Sequence, residues 1–322
     1  MMRGEFESLG AIHSVLPTFV PRPVSWGAFR SKPNTFYTLT TFHERAAPAR
    51  DAAAFCAELA KLHTRSRAPD GRFGFPVATF FGEVLNERQA CDSWEAAFTA
   101  GLRHILGLEE EVNGVDDALA AAREELIARV VPRLLRPLET AGRRLRPALV
   151  HGDLRLANAG VVEADEGGPA GRVMVFRPAA MYAHNEYELG LWRSARNGFD
   201  SRFLRTYLKL VPISEPKADF EDRNALYSLR HVVACSIRYP GSAKYRSCIL
   251  EEMTRLVARF SPPPDRALST DDDAAMFMYG YDENDETKSG SVVAVSRNGS
   301  MSEKTSLRAR GLSNVAGRFV RR

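Results

Sequence analysis

Residues 149–158 read L-V-H-G-D-L-R-L-A-N, and the rest of the chain is understood from this stretch. Leu149 and Val150 read as the end of a short apolar strand, and His151 and Gly152 open a polar turn. Asp153 follows, with Asn158 five residues on. Alone, His-Gly-Asp favours a strand running into an Asx-type turn, because Gly, Asp and Asn are ordinary turn residues. Two neighbours reverse that preference. Asn158 stands in register with Asp153, and residues 173–176 (V-M-V-F) supply another apolar strand-like run after the loop.

A carboxylate and an amide at this spacing suit phosphoryl transfer in a kinase-like loop. The acid accepts or orients the proton of the attacking hydroxyl, and the amide oxygen holds a magnesium ion. Five residues carry the chain across the loop so that both side chains converge on one phosphoryl group.

At 322 residues the chain has room for one large domain or two. A composition of 44% hydrophobic and 26% charged residues is that of a soluble globular protein. A net charge of +4 is small for this length and calls for no nucleic-acid partner. Cys56, Cys91, Cys235 and Cys248 form no C-x-x-C pair, so neither zinc nor a disulfide scaffold is indicated. No apolar run has membrane-spanning length and no basic-then-apolar leader is present, so a cytoplasmic protein without membrane attachment is expected.

Periodicity predicts a helix over 5–16, ended by Pro17, Pro21 and Pro23, then strands over 24–29 and 36–42. Helices are expected over 52–64, 88–106 and 116–138, the last capped by Asp116. A hairpin turn at 167–171 joins strands 159–162 and 172–176, and helices follow over 186–195, 201–210, 219–239 and 243–260. Pro262, Pro263 and Pro264 break the pattern, and the acidic-then-basic remainder is expected to be a disordered tail.

Six segments together resemble the fructosamine-3-kinase / protein-ribulosamine 3-kinase family, in a fungal-type version. They are G-E-F-E-S-L (4–9), F-V-P-R-P-V-S-W-G (19–27), L-A-K-L-H-T-R-S (59–66), G-R-F-G-F (71–75), H-G-D-L-x-x-x-N (151–158) and Y-A-H-N-E-Y-E-L-G-L-W-R (182–193). The resemblance implies an α+β, protein-kinase-like two-lobed fold with an incomplete small lobe over 1–45. A mostly helical large lobe over 46–261 and a tail over 262–322 complete it. It implies ATP and Mg2+ as cofactors, and phosphorylation of the 3-hydroxyl of ketosamines on a glycated protein.

By the same resemblance Asp153 is the catalytic base and Asn158 a magnesium ligand. Glu5, rather than Glu7, is the acid of the small-lobe helix, and Phe42, His43 and Glu44 form the hinge that meets adenine. Arg155 stands where the family has an aromatic platform for the sugar. Arg177 replaces the acid of F-D-P, and a guanidinium cannot ligate a cation. No G-x-G-x-x-G precedes His151, so the glycine-rich strands and the lysine strand are expected to be missing. These departures lead us to expect weak or absent catalysis. A pseudokinase that binds without turnover, and an aminoglycoside-phosphotransferase-like kinase of small molecules, are the competing readings.

Overall fold

The structure, a computed structural model, describes residues 1–86, 89–163 and 171–260. The turn expected at 167–171 lies outside the described residues except for Gly171, and so does the tail expected over 262–322.

Helix α1 (Met2–Val15) lies against a hairpin of β1 (Pro23–Ala28) and β2 (Phe36–Thr40). Leu9 and Ile12 form its buried stripe, and Ser8 Oγ accepts a hydrogen bond from Ala180 N (3.1 Å). That bond docks the helix on the segment just after Arg177. Strand β3 (Arg45–Pro48), which no alternation announces, pairs antiparallel with β7 (Ala159–Val162), which pairs with β8 (Arg172–Val175). The boundary expected at residue 45 falls inside β3.

Helix α2 (Ala52–Arg65) starts where Asp51 Oδ1 accepts from Ala53 N and Ala54 N, at 2.9 and 3.2 Å. A cap of this kind contributes about 1 kcal/mol. Its apolar face of Phe55, Cys56, Leu59 and Leu62 is buried, and the helix packs against α7 (Ser201–Leu210). Between α2 and α7 come the short pair β4 (Phe80–Phe81) and β5 (Val84–Leu85), α3 (Trp94–Asn113), α4 (Asp117–Glu125), α5 (Val131–Leu135) and β6 (Ala148–Val150). After β8 follow β9 (Met181–Ala183) and α6 (Glu186–Leu189) before α7, then α8 (Phe220–Arg238) and α9 (Ala243–Phe260).

Three expected helices are corrected. The helix expected over 88–106 is α3, which begins six residues later and runs on to Asn113. Cys91 exchanges two backbone bonds with Phe73, at 2.9 Å each, and Ser93 caps the helix from its side chain. The single helix expected over 116–138 does begin on an Asp116 cap but passes through a π turn at Leu126–Val130. Pro132 lacks an N–H and crowds the carbonyl four residues back, which breaks the regular ladder. The helix expected over 186–195 ends at Leu189 and continues as tight 3-10 turns. There Gly190 packs so closely on α8 that a Cβ would stand 2.6 Å from Tyr227 Cβ.

The core is continuous from α1 to α9, with Trp94, Phe55, Phe73, Phe199 and Tyr207 fully buried. Among the described residues no helix is long and apolar enough to cross a membrane.

Candidate active site

The loop is held by its neighbours before any ligand is considered. β6 is buried at every residue and pairs antiparallel with β9, Leu149 opposite Tyr182. Leu149 N donates to Ser66 Oγ (2.9 Å), which ties the strand to the end of α2. At the turn, Gly152 has φ +83°, and a Cβ there would meet Ala179 O at 2.1 Å, so both conformation and space require glycine.

Glu188 of α6, buried, clamps the turn. Its carboxylate accepts from His151 N and from Gly152 N (3.0 Å), and His63 Nε2 stands 3.7 Å away. Burial pushes this carboxyl up, but the adjoining His63 and His151 and the backbone N–H outweigh it and hold the group below its usual range. Burial also lowers the His151 pKa, outweighing the nearby carboxylates of Glu188 and Asp153. Its Nδ1 accepts from Asp153 N (3.2 Å), so Nε2 carries the proton and donates to Phe176 O (3.0 Å).

Asp153 and Asn158 converge. Asn158 Nδ2 donates to Asp153 O at 2.8 Å and to Asp153 Oδ2 at 3.0 Å, and both side chains are buried. This leaves Asn158 Oδ1 directed away from the acid. Arg155 folds back on the same carboxylate, with Nη2 3.3 Å from Oδ2 and Nε 3.1 Å from Oδ1. The second contact is ionic and poorly aligned. Asp153 Oδ1 therefore remains a buried acceptor without a hydrogen bond.

Arg177 begins one residue from the loop, because Phe176 N donates to Asn158 O (2.9 Å). It is exposed, with φ +56°. Glu5 lies one helical turn before Ser8 on α1. Burial raises its carboxyl, and the charge of Arg177 opposes that rise. Arg177 thus lies within electrostatic reach of the acid expected to pair with a lysine.

Phe42, His43 and Glu44 connect β2 to β3. Phe42 is 88% exposed. His43 Nε2 meets Thr41 Oγ1 at 3.0 Å and Nδ1 accepts from Arg172 (3.3 Å), while Glu44 O accepts from Glu163 N (3.2 Å). Arg45 joins this connection to the loop by donating to Ala157 O (3.1 Å) and Ala159 O (2.9 Å).

The loop supplies few oxygens for a magnesium ion, which in phosphoryl-transfer sites is held by one or two side-chain oxygens together with phosphates. Among the described residues no cluster of three His, Cys, Asp or Glu could hold a metal. The loop offers one amide oxygen and a carboxylate already engaged by Arg155, and Arg177 stands where the resemblance leads one to expect an acid.

Glu188 and Arg45 are the site residues that the sequence reading does not single out. Glu188 lay inside a quoted motif, and a buried acid between apolar residues was the available signal. Arg45, 112 residues from its partner Ala157, carried none.

A family model described as Fructosamine kinase matches residues 1–259. The chain is 31% identical to the ketosamine-3-kinase of Mus musculus over 161 residues, 50% of this chain and 46% of that protein. It spans about half the length of the curated relatives it matches. In fold it resembles a candidate fructosamine-3-kinase of Thermobifida fusca YX-ER1, with TM-score 0.63 and 19% identity over 80% of each chain. A thermostable mutant of the aminoglycoside phosphotransferase APH(4)-Ia, solved with AMP-PNP and hygromycin B, is similar at TM-score 0.51 and 16% identity. That match covers 81% of this chain and 84% of the other.

Proposed function

The chain belongs to the fructosamine kinase family, and from that premise we propose that it transfers the γ-phosphoryl group of ATP to the 3-hydroxyl of a ketosamine. The acceptor class is a ribulosamine or fructosamine, borne on a protein lysine in the reading that the resemblance favours. The hydroxyl oxygen bonds to phosphorus, the bond to the β–γ bridging oxygen breaks, and ADP leaves. The hydroxyl proton passes to Asp153.

The observation that carries this reading is the convergence of Asp153 and Asn158 at 2.8–3.0 Å in a loop pinned by Glu188. Asp153 Oδ1, buried and without a hydrogen bond, is the atom for which an acceptor hydroxyl would be the donor once Arg155 moves aside. Positioning is the main contribution available to an enzyme of this kind. The contact between Arg155 and Asp153, and the guanidinium of Arg177, support slow turnover. They equally support the second reading, a nucleotide-binding pseudokinase.

The test is ATP consumption with a synthetic ribulosamine-lysine acceptor, for the parent and for Asp153→Asn. A positioned general base contributes on the order of 10²–10⁴-fold, and a loss of that size is expected. Equal turnover in parent and variant would remove Asp153 from the mechanism. A nucleotide-dependent rise in melting temperature without turnover would favour the pseudokinase.

A further inference from the structure

The far side of the loop is walled by cations. A cavity of about 710 Å³ opens between the loop, the β4–β5 turn and the C-terminal half of α8. Arg155, Arg196, Arg238 and His231 line it, and Glu83 is the single carboxylate among its lining residues. Arg155 connects the cavity to Asp153 through the contacts already described. Arg196 is oriented by Tyr245, whose hydroxyl accepts from Nη1 (2.8 Å), and the Arg238 guanidinium lies 5.8 Å from the centre of the Tyr239 ring. His231 Nδ1 is buried without a hydrogen-bond partner. Burial, with Arg155, Arg196 and Arg230 around it, keeps that imidazole neutral down to about 4. It offers a hydrogen bond and no charge.

We infer that this cavity receives an anionic group on the acceptor, so that the preferred substrate is a ketosamine bearing a phosphate ester or a carboxylate. The inference rests on the ketosamine kinase reading above. Three guanidinium groups around one concave site concentrate anions and bind them through charge-assisted hydrogen bonds. The same wall repels a polycation, which counts against an aminoglycoside-like acceptor. It also couples binding to chemistry, because an anion that draws Arg155 into the cavity uncovers both oxygens of Asp153.

The test compares three matched ketosamines: one uncharged apart from its amine, one with a terminal phosphate, and one built on an α-amino acid with a free carboxylate. Affinity is measured by calorimetry and turnover by ATP-dependent phosphorylation, for the parent, Arg196→Gln and Arg238→Gln. At least one anionic acceptor is expected to bind on the order of tenfold more tightly than the uncharged one. Either substitution should shrink that preference toward parity. Preference for phosphate names a sugar phosphate as the source, and preference for carboxylate names an amino-acid adduct. Equal affinity for all three, or a preference that survives both substitutions, overturns the inference. The two readings fail differently. Phosphorylation without anion preference keeps the kinase and sinks the cavity's role, whereas arginine-dependent anion binding without phosphorylation does the reverse.

Discussion

The guanidinium of Arg155 lies against the carboxylate of Asp153, Nε 3.1 Å from Oδ1 and Nη2 3.3 Å from Oδ2. An acid held this way cannot meet an incoming hydroxyl until the arginine leaves. Replacing Arg155 by Leu is expected to raise kcat for an uncharged ketosamine several-fold, equivalent to about 1 kcal/mol of barrier. Steady-state kinetics checks this. A fall to the level of Asp153→Asn would instead show that the guanidinium holds the acid in place.

The clamp on the turn makes a prediction about stability. Glu188→Ala leaves the N–H groups of His151 and Gly152 buried without an acceptor. The expected cost is about 3–5 kcal/mol, read from urea denaturation. Gly152→Ala combines a left-handed φ with a collision on Ala179 O and is expected to cost roughly 2 kcal/mol or more. A neutral result for either variant would mean that the turn relaxes freely.

Acid should loosen the fold before the carboxylates titrate. His184 bonds to Tyr227 Oη and Ser214 Oγ, both at 2.9 Å, and burial lowers its pKa from 6.5 to about 4. The unfolded chain therefore takes up the proton first as pH falls. Stability from this group is whole above pH 6.5 and is lost as pH falls toward 4. The loss amounts to about 3 kcal/mol for His184, and His231 shifts in the same direction. Urea midpoints measured from pH 7 down to pH 4 should fall, and His184→Gln should flatten the slope.

Arg177 invites a gain-of-binding test. Placing an acid there with Arg177→Asp removes a positive charge one residue from the backbone bond to Asn158 and supplies a carboxylate oxygen for a divalent cation. We expect ADP to raise the melting temperature of the variant more with magnesium than without, and the parent to show no such difference. The substitution also removes the cation that opposes the raised pKa of Glu5. The magnesium comparison is therefore made within each protein.

Much of the fold was legible because it is local. The Asp51 and Asp116 caps, the alternation of β1 and β2 and the helical stripes of α1, α2 and α7–α9 depend on residues a turn or two apart. The boundaries that moved did so for long-range reasons: a bridge between Cys91 and Phe73 delays α3, and contact with Tyr227 tightens the chain at Gly190. Strands β3 and β9 are too short for their alternation to stand out. They exist because β7 and β6 offer them partners.

The candidate site divides along the same line. The pairing of Asp153 with Asn158 was readable from their five-residue spacing together with the strand-like run at 173–176, because both side chains belong to one loop. The sequence also placed a cation at residue 155 and another at residue 177. Only the tertiary structure decided what those cations face. It brought Glu188 across 36 residues to hold Gly152 N, and it set Arg238 and His231 of α8 opposite the loop to make a cationic cavity. Backbone spacing is a property of neighbours along the chain, whereas which charges share a cavity depends on how helices distant in sequence pack.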